Sequence, residues 1–261
     1  MILEKASSIS GGIFNYPGLR IETRSIGIED IKNNYPRIAC FGDSVTFGWN
    51  LKYEDCYPFL LEDLLSKNGY PTVKVINCGV GGDTVVDGYQ RIEKDIFYFE
   101  PDLVILNFGL NDGMLWEIER NNFEERKSLI YEHGKNYYVP RVDLKVFYQY
   151  YIRMIDEINS RGIKVVILGL NPVLHTFPLS MDESLREKQR EVYAMYNNKI
   201  LEIARDKKIV CVDLWNIFLE KKDLKNYIQG DGIHPTGEGQ SLIARSVFLV
   251  LKQSDIISRS R

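Results

Sequence analysis

Histidine and cysteine are scarce in this chain of 261 residues: three histidines (His133, His175 and His234) and four cysteines. So few histidines leave few candidates for a general base. No His or Cys set has metal-ligand spacing, so no metal is expected. Four cysteines allow two disulfides, but Cys40, Cys78 and Cys211 sit within or at the ends of apolar β-like runs. A free thiol there behaves as a small hydrophobe. Cys56 follows a polar stretch. Four reduced thiols are therefore expected, and with them a cytoplasmic protein. No run of about 20 apolar residues exists, so no transmembrane helix or integral membrane association is expected. Residues 1–12 have no basic stretch leading into an apolar one, which predicts no signal peptide. There is no basic stripe and the net charge is −3, which argues against nucleic acid as a partner. The nearest candidate, Lys221-Lys222 with Lys225, reads as a solvated helix end.

What is present is an ordinary globular balance, 44% hydrophobic and 26% charged, enough for one large core. One α/β domain over residues 1–261 is expected. Five short apolar, β-branched runs occupy 37–41, 73–77, 103–108, 164–168 and 209–212. Such runs suit strands buried on both faces of a parallel sheet. Apolar residues at helical spacing predict helices over 57–68, 143–160, 184–206 and 236–252. Ser184 and Glu187 have capping-box spacing, which predicts a helix start at Ser184. Alternation of strand and helix implies a right-handed, doubly wound sheet, a three-layer α/β/α sandwich of flavodoxin-like order. Ligands gather at the carboxyl ends of such strands. Ser44, residues 79–84, residues 109–112 and Asn171 all follow predicted strands.

Two segments depart from the alternation. An N-terminal extension, 1–36, carries Tyr16-Pro17-Gly18 between Phe14 and Ile21, which reads as a hairpin or subdomain edge. An insertion over 113–140 mixes Trp116, Phe123, Tyr131, Tyr137 and Tyr138 with many charges. It reads either as a lid or dimer contact, or as helical decoration.

The phrases around Ser44 and His234 suit a serine hydrolase. A serine hydroxyl needs a base to take its proton, and the base needs a carboxylate to hold its tautomer. Asp231 and His234, three residues apart, can meet through one turn of backbone. Each phrase also has a plain structural reading. Gly42-Asp43-Ser44 is a good helix N-cap. Asn111-Asp112-Gly113 and Asp231-Gly232 are turn signals. Gly81-Gly82-Asp83-Thr84 can cap the second helix or cradle a phosphate. Four such coincidences on one face favour catalysis. Asn171 and His175 are further candidates for the pocket, although a packed or surface histidine is the plainer reading of His175. His133, in the charged insertion, reads as exposed.

Four phrases together resemble the GDSL family, or SGNH hydrolases, over about residues 37–250. They are Gly42-Asp43-Ser44-Val45 (with Val where many members have Leu), the run 77–84 containing Gly82, Gly109-Leu110-Asn111-Asp112, and Asp231-Gly232-Ile233-His234-Pro235. The resemblance implies an SGNH-hydrolase fold and a carboxylic-ester hydrolase that needs no cofactor. It implies Ser44 as nucleophile, His234 as base and Asp231 as its orienter. The N–H groups of Ser44 and Gly82 and the amide of Asn111 would form the oxyanion hole. The expected substrate is a small-molecule ester with a short acyl group. Acyl transfer to an alcohol would use the same triad, and a non-catalytic flavodoxin-like binding module is the alternative outside enzymology.

Overall fold

The computed structural model describes residues 35–118 and 129–254. The hairpin expected near Tyr16-Pro17-Gly18 lies outside the described residues.

Five parallel strands form the central sheet: β1 (Arg37–Gly42), β2 (Lys74–Gly79), β3 (Leu103–Asn107), β7 (Lys164–Leu168) and β8 (Val210–Val212). Their order is β2-β1-β3-β7-β8, the flavodoxin-like order expected. β1 and β3 are buried along their whole length, which is why their sequences run apolar without alternation. β1 pairs with β2 on one side and with β3 on the other. The chain thus leaves β1 in one direction and later returns to its opposite edge. The two connections splay apart there and open a crevice at the carboxyl end of β1.

Helices cover both faces. α1 (Ser44–Phe47) is a single turn after β1, and α2 (Tyr57–Lys67) follows it. α3 (Val85–Asp95) follows β2, and α4 (Leu144–Ser160) and α5 (Glu183–Lys207) flank β7. α6 (Leu214–Leu219) and α7 (Gly237–Gln253) complete the order. α2 packs on α7, whereas α3 packs on α4 and α4 on α5. Buried Gln240 of α7 ties its layer to the site: it accepts from Tyr57 N at 2.8 Å and donates to the Val45 carbonyl at 2.8 Å.

Two local expectations change. The cap of α5 lies two residues before the one that the spacing of Ser184 and Glu187 predicts: Asp182 is the N-cap and accepts from Leu185 N at 3.0 Å. Its carboxylate does the work assigned to the Ser184 hydroxyl. α3 is not evident from apolar spacing, because Asp87, Gly88, Gln90 and Arg91 interrupt it. Its start is nevertheless written in the sequence as a capping box between Thr84 and Asp87.

The described part of the insertion is not helical. β4 (Leu115–Ile118), β5 (Tyr131–His133) and β6 (Asn136–Pro140) make an antiparallel sheet in the order β4-β6-β5. This small sheet stands at the carboxyl end of the main one. His133, half-exposed, holds it to the start of α5 through Nε2 against Asp182 Oδ2 at 2.6 Å.

Candidate active site

Ser44 opens α1 directly after β1. Asp43 caps that turn, its Oδ1 accepting from Val45 N at 2.9 Å. The cap points the first helical side chain into the crevice. His234 Nε2 lies 2.8 Å from Ser44 Oγ, and His234 Nδ1 lies 2.7 Å from Asp231 Oδ2. Ser44 and the Asp231–His234 pair, with Ser44 and His234 190 positions apart in sequence, thus form one hydrogen-bonded chain. Asp231 Oδ1 also accepts from the N–H groups of Ile233 and His234, both at 3.1 Å. This tight turn needs Gly232 at φ +87°, where a Cβ would stand 2.7 Å from Cβ of Phe177.

Burial pushes the Asp231 carboxyl up, but the hydrogen bond and charge of His234 and the two backbone N–H groups outweigh it, and the net shift is downward. A carboxylate that stays ionised can orient an imidazole and stabilise its protonated form. The Trp49 ring stacks on the imidazole with centroids 5.8 Å apart and planes 30° from parallel.

Asn111 and Gly82 face Ser44 from the neighbouring strand ends. Gly82 has φ +82°, a conformation that favours glycine. Asn111 Nδ2 donates to the Asp83 carbonyl at 3.0 Å and, more weakly, to Asp43 Oδ2 at 3.3 Å. Beneath them lies Asp112, fully buried, both of whose oxygens accept from Val85 N, at 3.0 and 3.2 Å. Burial holds the Asp112 carboxyl well above the ordinary carboxylate range.

Arg91 is a residue that motif reading does not find. From the second turn of α3 it donates Nη2 to the Gly42 carbonyl and Nη1 to the Cys78 carbonyl, each at 3.0 Å. It also pairs with Asp83 at 2.6 Å and Asp95 at 3.0 Å, and its guanidinium lies 4.3 Å from the centroid of Phe41. One side chain therefore pins the ends of β1 and β2 and the loop carrying Gly82. Burial still lifts Asp83 to about 6, with Arg91 pulling the other way. The clue available in sequence is position: Arg91 lies four residues after Asp87 of the capping box, on the face of α3 turned to the sheet.

Ser44, His234, Gly82 and Asn111 line one cleft of about 410 Å³. Its walls are largely apolar, with Trp49, Met114, Trp116, Phe177 and Met181 among them, and Arg141 at one side. Met114 and Trp116 come from the insertion. Asn171 and His175 stand apart from it. The buried amide of Asn171 donates to the Ile233 carbonyl at 3.0 Å, so it braces the histidine turn from behind. His175 is exposed, and its carbonyl accepts from Arg190. None of the four cysteines forms a disulfide. Burial raises Cys78 and Cys211 to about 12 and Cys40 higher still, so these three are not ready nucleophiles. Among the described residues, no group of three His, Cys, Asp or Glu is arranged for a metal ion, and no helix is long and apolar enough to cross a membrane.

The GDSL-like lipase/acylhydrolase family matches residues 40–242, most of the chain and all four phrases. The chain belongs to that family. Its activity class is that of an esterase or acylhydrolase. Curated relatives are distant in sequence. An uncharacterized lipoprotein, YqeF, of Bacillus subtilis is 25% identical over 242 residues, covering 86% of this chain and 91% of its own. An arylesterase of Vibrio mimicus is 26% identical over 164 residues, covering 58% of this chain and 80% of its own. A lipase/acylhydrolase from Enterococcus faecalis shares the fold, with a TM-score of 0.66 at 21% identity over 87% of this chain and 99% of that one.

Proposed function

We propose that this GDSL-family chain hydrolyses small carboxylic esters through an acyl intermediate on Ser44. The observation that carries the reading is the unbroken chain Ser44 Oγ–His234 Nε2 and His234 Nδ1–Asp231 Oδ2, at 2.8 and 2.7 Å. Ser44 Oγ adds to the ester carbonyl while its proton passes to His234 Nε2. The tetrahedral oxyanion accepts from the N–H groups of Ser44 and Gly82 and from Asn111 Nδ2. Its collapse breaks the bond to the alcohol oxygen, which leaves with the proton from His234. Water then adds to the acyl carbon, giving its proton to His234, and the acid leaves as Ser44 recovers its proton. Asn111 can serve this way at little cost: its bond to Asp43, at 3.3 Å, is weak enough to be exchanged for one to an oxyanion.

A cleft of about 410 Å³ is near the lower end of small-molecule sites, which supports a short acyl group on a modest alcohol. The arylesterase relative is, by its name, an esterase, which supports an ester substrate. Stopped-flow hydrolysis of p-nitrophenyl acetate and butyrate tests the reading. The expected result is a nitrophenol burst equal to the enzyme concentration, faster for acetate, and no burst in Ser44→Ala. Turnover that survives in Ser44→Ala rules out Ser44 as the nucleophile. Preference for butyrate would place a larger acyl pocket beside Ser44, and preference for p-nitrophenyl octanoate over both would rule out the short-acyl assignment alone.

A further inference from the structure

Arg141 leaves the insertion sheet just beyond β6 and reaches back to the loop that holds Gly82. Its Nη1 donates to the Gly82 carbonyl. Nη2 stands 3.6 Å from Asp87 Oδ2, and the guanidinium carbon lies 5.4 Å from the centroid of the Trp116 ring. Trp116 belongs to β4 and Asp87 to the capping box of α3, so the guanidinium is held from both sides. The backbone around it is fixed as well: Arg141 N donates to the Met114 carbonyl at 2.9 Å and Val142 N to that of Asp112 at 3.0 Å. The Tyr196 hydroxyl holds the Val142 carbonyl. Buried Gln189 of α5 donates to the Gly113 carbonyl and accepts from Leu115 N, each at 2.8 Å. The root of the insertion is thus joined both to the Asn111 loop and, through one side chain, to Gly82.

A glycine at φ +82° has neighbouring conformations within easy reach, so the direction of its N–H needs an outside restraint. Arg141 holds the peptide plane that follows, at Gly82 O, and Asn111 holds the next, at Asp83 O. We infer that Arg141 is a positioning residue for the oxyanion hole, one that couples the seating of the insertion sheet to the aim of the Gly82 N–H. The inference rests on the reading of Gly82 as an oxyanion donor. It makes the insertion part of transition-state binding rather than only a wall of the cleft.

The test compares kcat and KM for p-nitrophenyl acetate, and inhibition by phenylboronic acid as a tetrahedral mimic, in wild type, Arg141→Met, Arg141→Lys, Lys135→Ala and Ser44→Ala. Arg141→Met keeps the stem against Trp116 and removes every donor. It is expected to lower kcat about 10–100-fold, the scale of a small misplacement, with KM changed less than about 3-fold. Boronate affinity should fall by the same factor as kcat/KM. Arg141→Lys, which can still donate once to Gly82 O, should recover part of the loss, and should carry the test if the Met variant does not fold. Lys135→Ala, exposed at the β5–β6 turn, should match wild type. A rise in KM at unchanged kcat would make Arg141 a substrate ligand and overturn the inference, as would unchanged kinetics in both Arg141 variants. Hydrolysis surviving in Ser44→Ala would instead overturn the catalytic reading, whatever Arg141 does.

Discussion

The carboxylates around Ser44 divide by environment into two kinds. Asp231 gains more from His234 and two backbone N–H groups than burial takes away, so it stays ionised. Asp43 is the opposite case: burial raises it to about 7, with the Val45 N–H and His234 pulling it down and Asp83 adding to the rise. Asp83 is raised to about 6. For both, the folded state binds a proton more tightly than the unfolded chain. Stability therefore falls as pH rises through the window between about 4 and 7. Asp231 acts with the other sign: its contribution is present above its ordinary value of 3.8 and is lost as pH falls through its folded value. The melting temperature should accordingly rise from about pH 8 to about pH 5 and drop again below about pH 4. Asp43→Asn keeps an acceptor for the Val45 cap and should flatten the rise nearest neutrality. A melting curve with the wild-type slope would show that Asp43 does not titrate there. Asn111→Ala should reduce kcat by about 10²–10³ with little change in KM, the pattern of a contact made in the transition state. A loss confined to KM would make it a ground-state ligand.

Among the elements, α3 matters most to the site. Arg91 on α3 satisfies two strand-end carbonyls and two carboxylates at once, with its side chain only 15% exposed. Arg91→Met should leave Asp83 and Asp95 without their cation and cost about 3–5 kcal/mol in urea denaturation. A loss under about 1 kcal/mol would show that the loop is held by other contacts. The strands were legible in sequence because burial on both faces removes alternation and leaves plain apolar runs at 37–41 and 103–108. The Asp231–His234 turn was legible because its geometry is local. Arg141 and Trp49 were not, since each acts across the fold from outside the four phrases and carries no spacing signal; Arg91 offered only its spacing from the Thr84–Asp87 capping box. The start of α5 was misplaced by a similar cause: Ser184 and Asp182 both suit a cap, and only the loop before them selects Asp182.

At the scale of the whole molecule, the sheet order brings four short phrases to one pole. The switch point beside β1 sets Ser44 between the ends of β2 and β3, and the turn before the last helix brings His234 to meet it. The family match spans residues 40–242, although identity to the two relatives described is only 25–26%. The insertion sheet sits over the same pole and supplies Met114 and Trp116 to the cleft. Trp116→Ala should therefore change selectivity between p-nitrophenyl acetate and butyrate by several-fold while the fold stays intact; equal effects on both esters would place the ring outside the acyl path. The central claim is that Ser44 is the nucleophile, made so by His234. The most direct test is to label the protein with a small fluorophosphonate and locate the adduct by peptide mass spectrometry. One phosphonyl group per chain on Ser44, lost in Ser44→Ala and slowed at least about 100-fold in His234→Ala, is the predicted result. An adduct on another residue, or full ester turnover with no adduct at all, would contradict it.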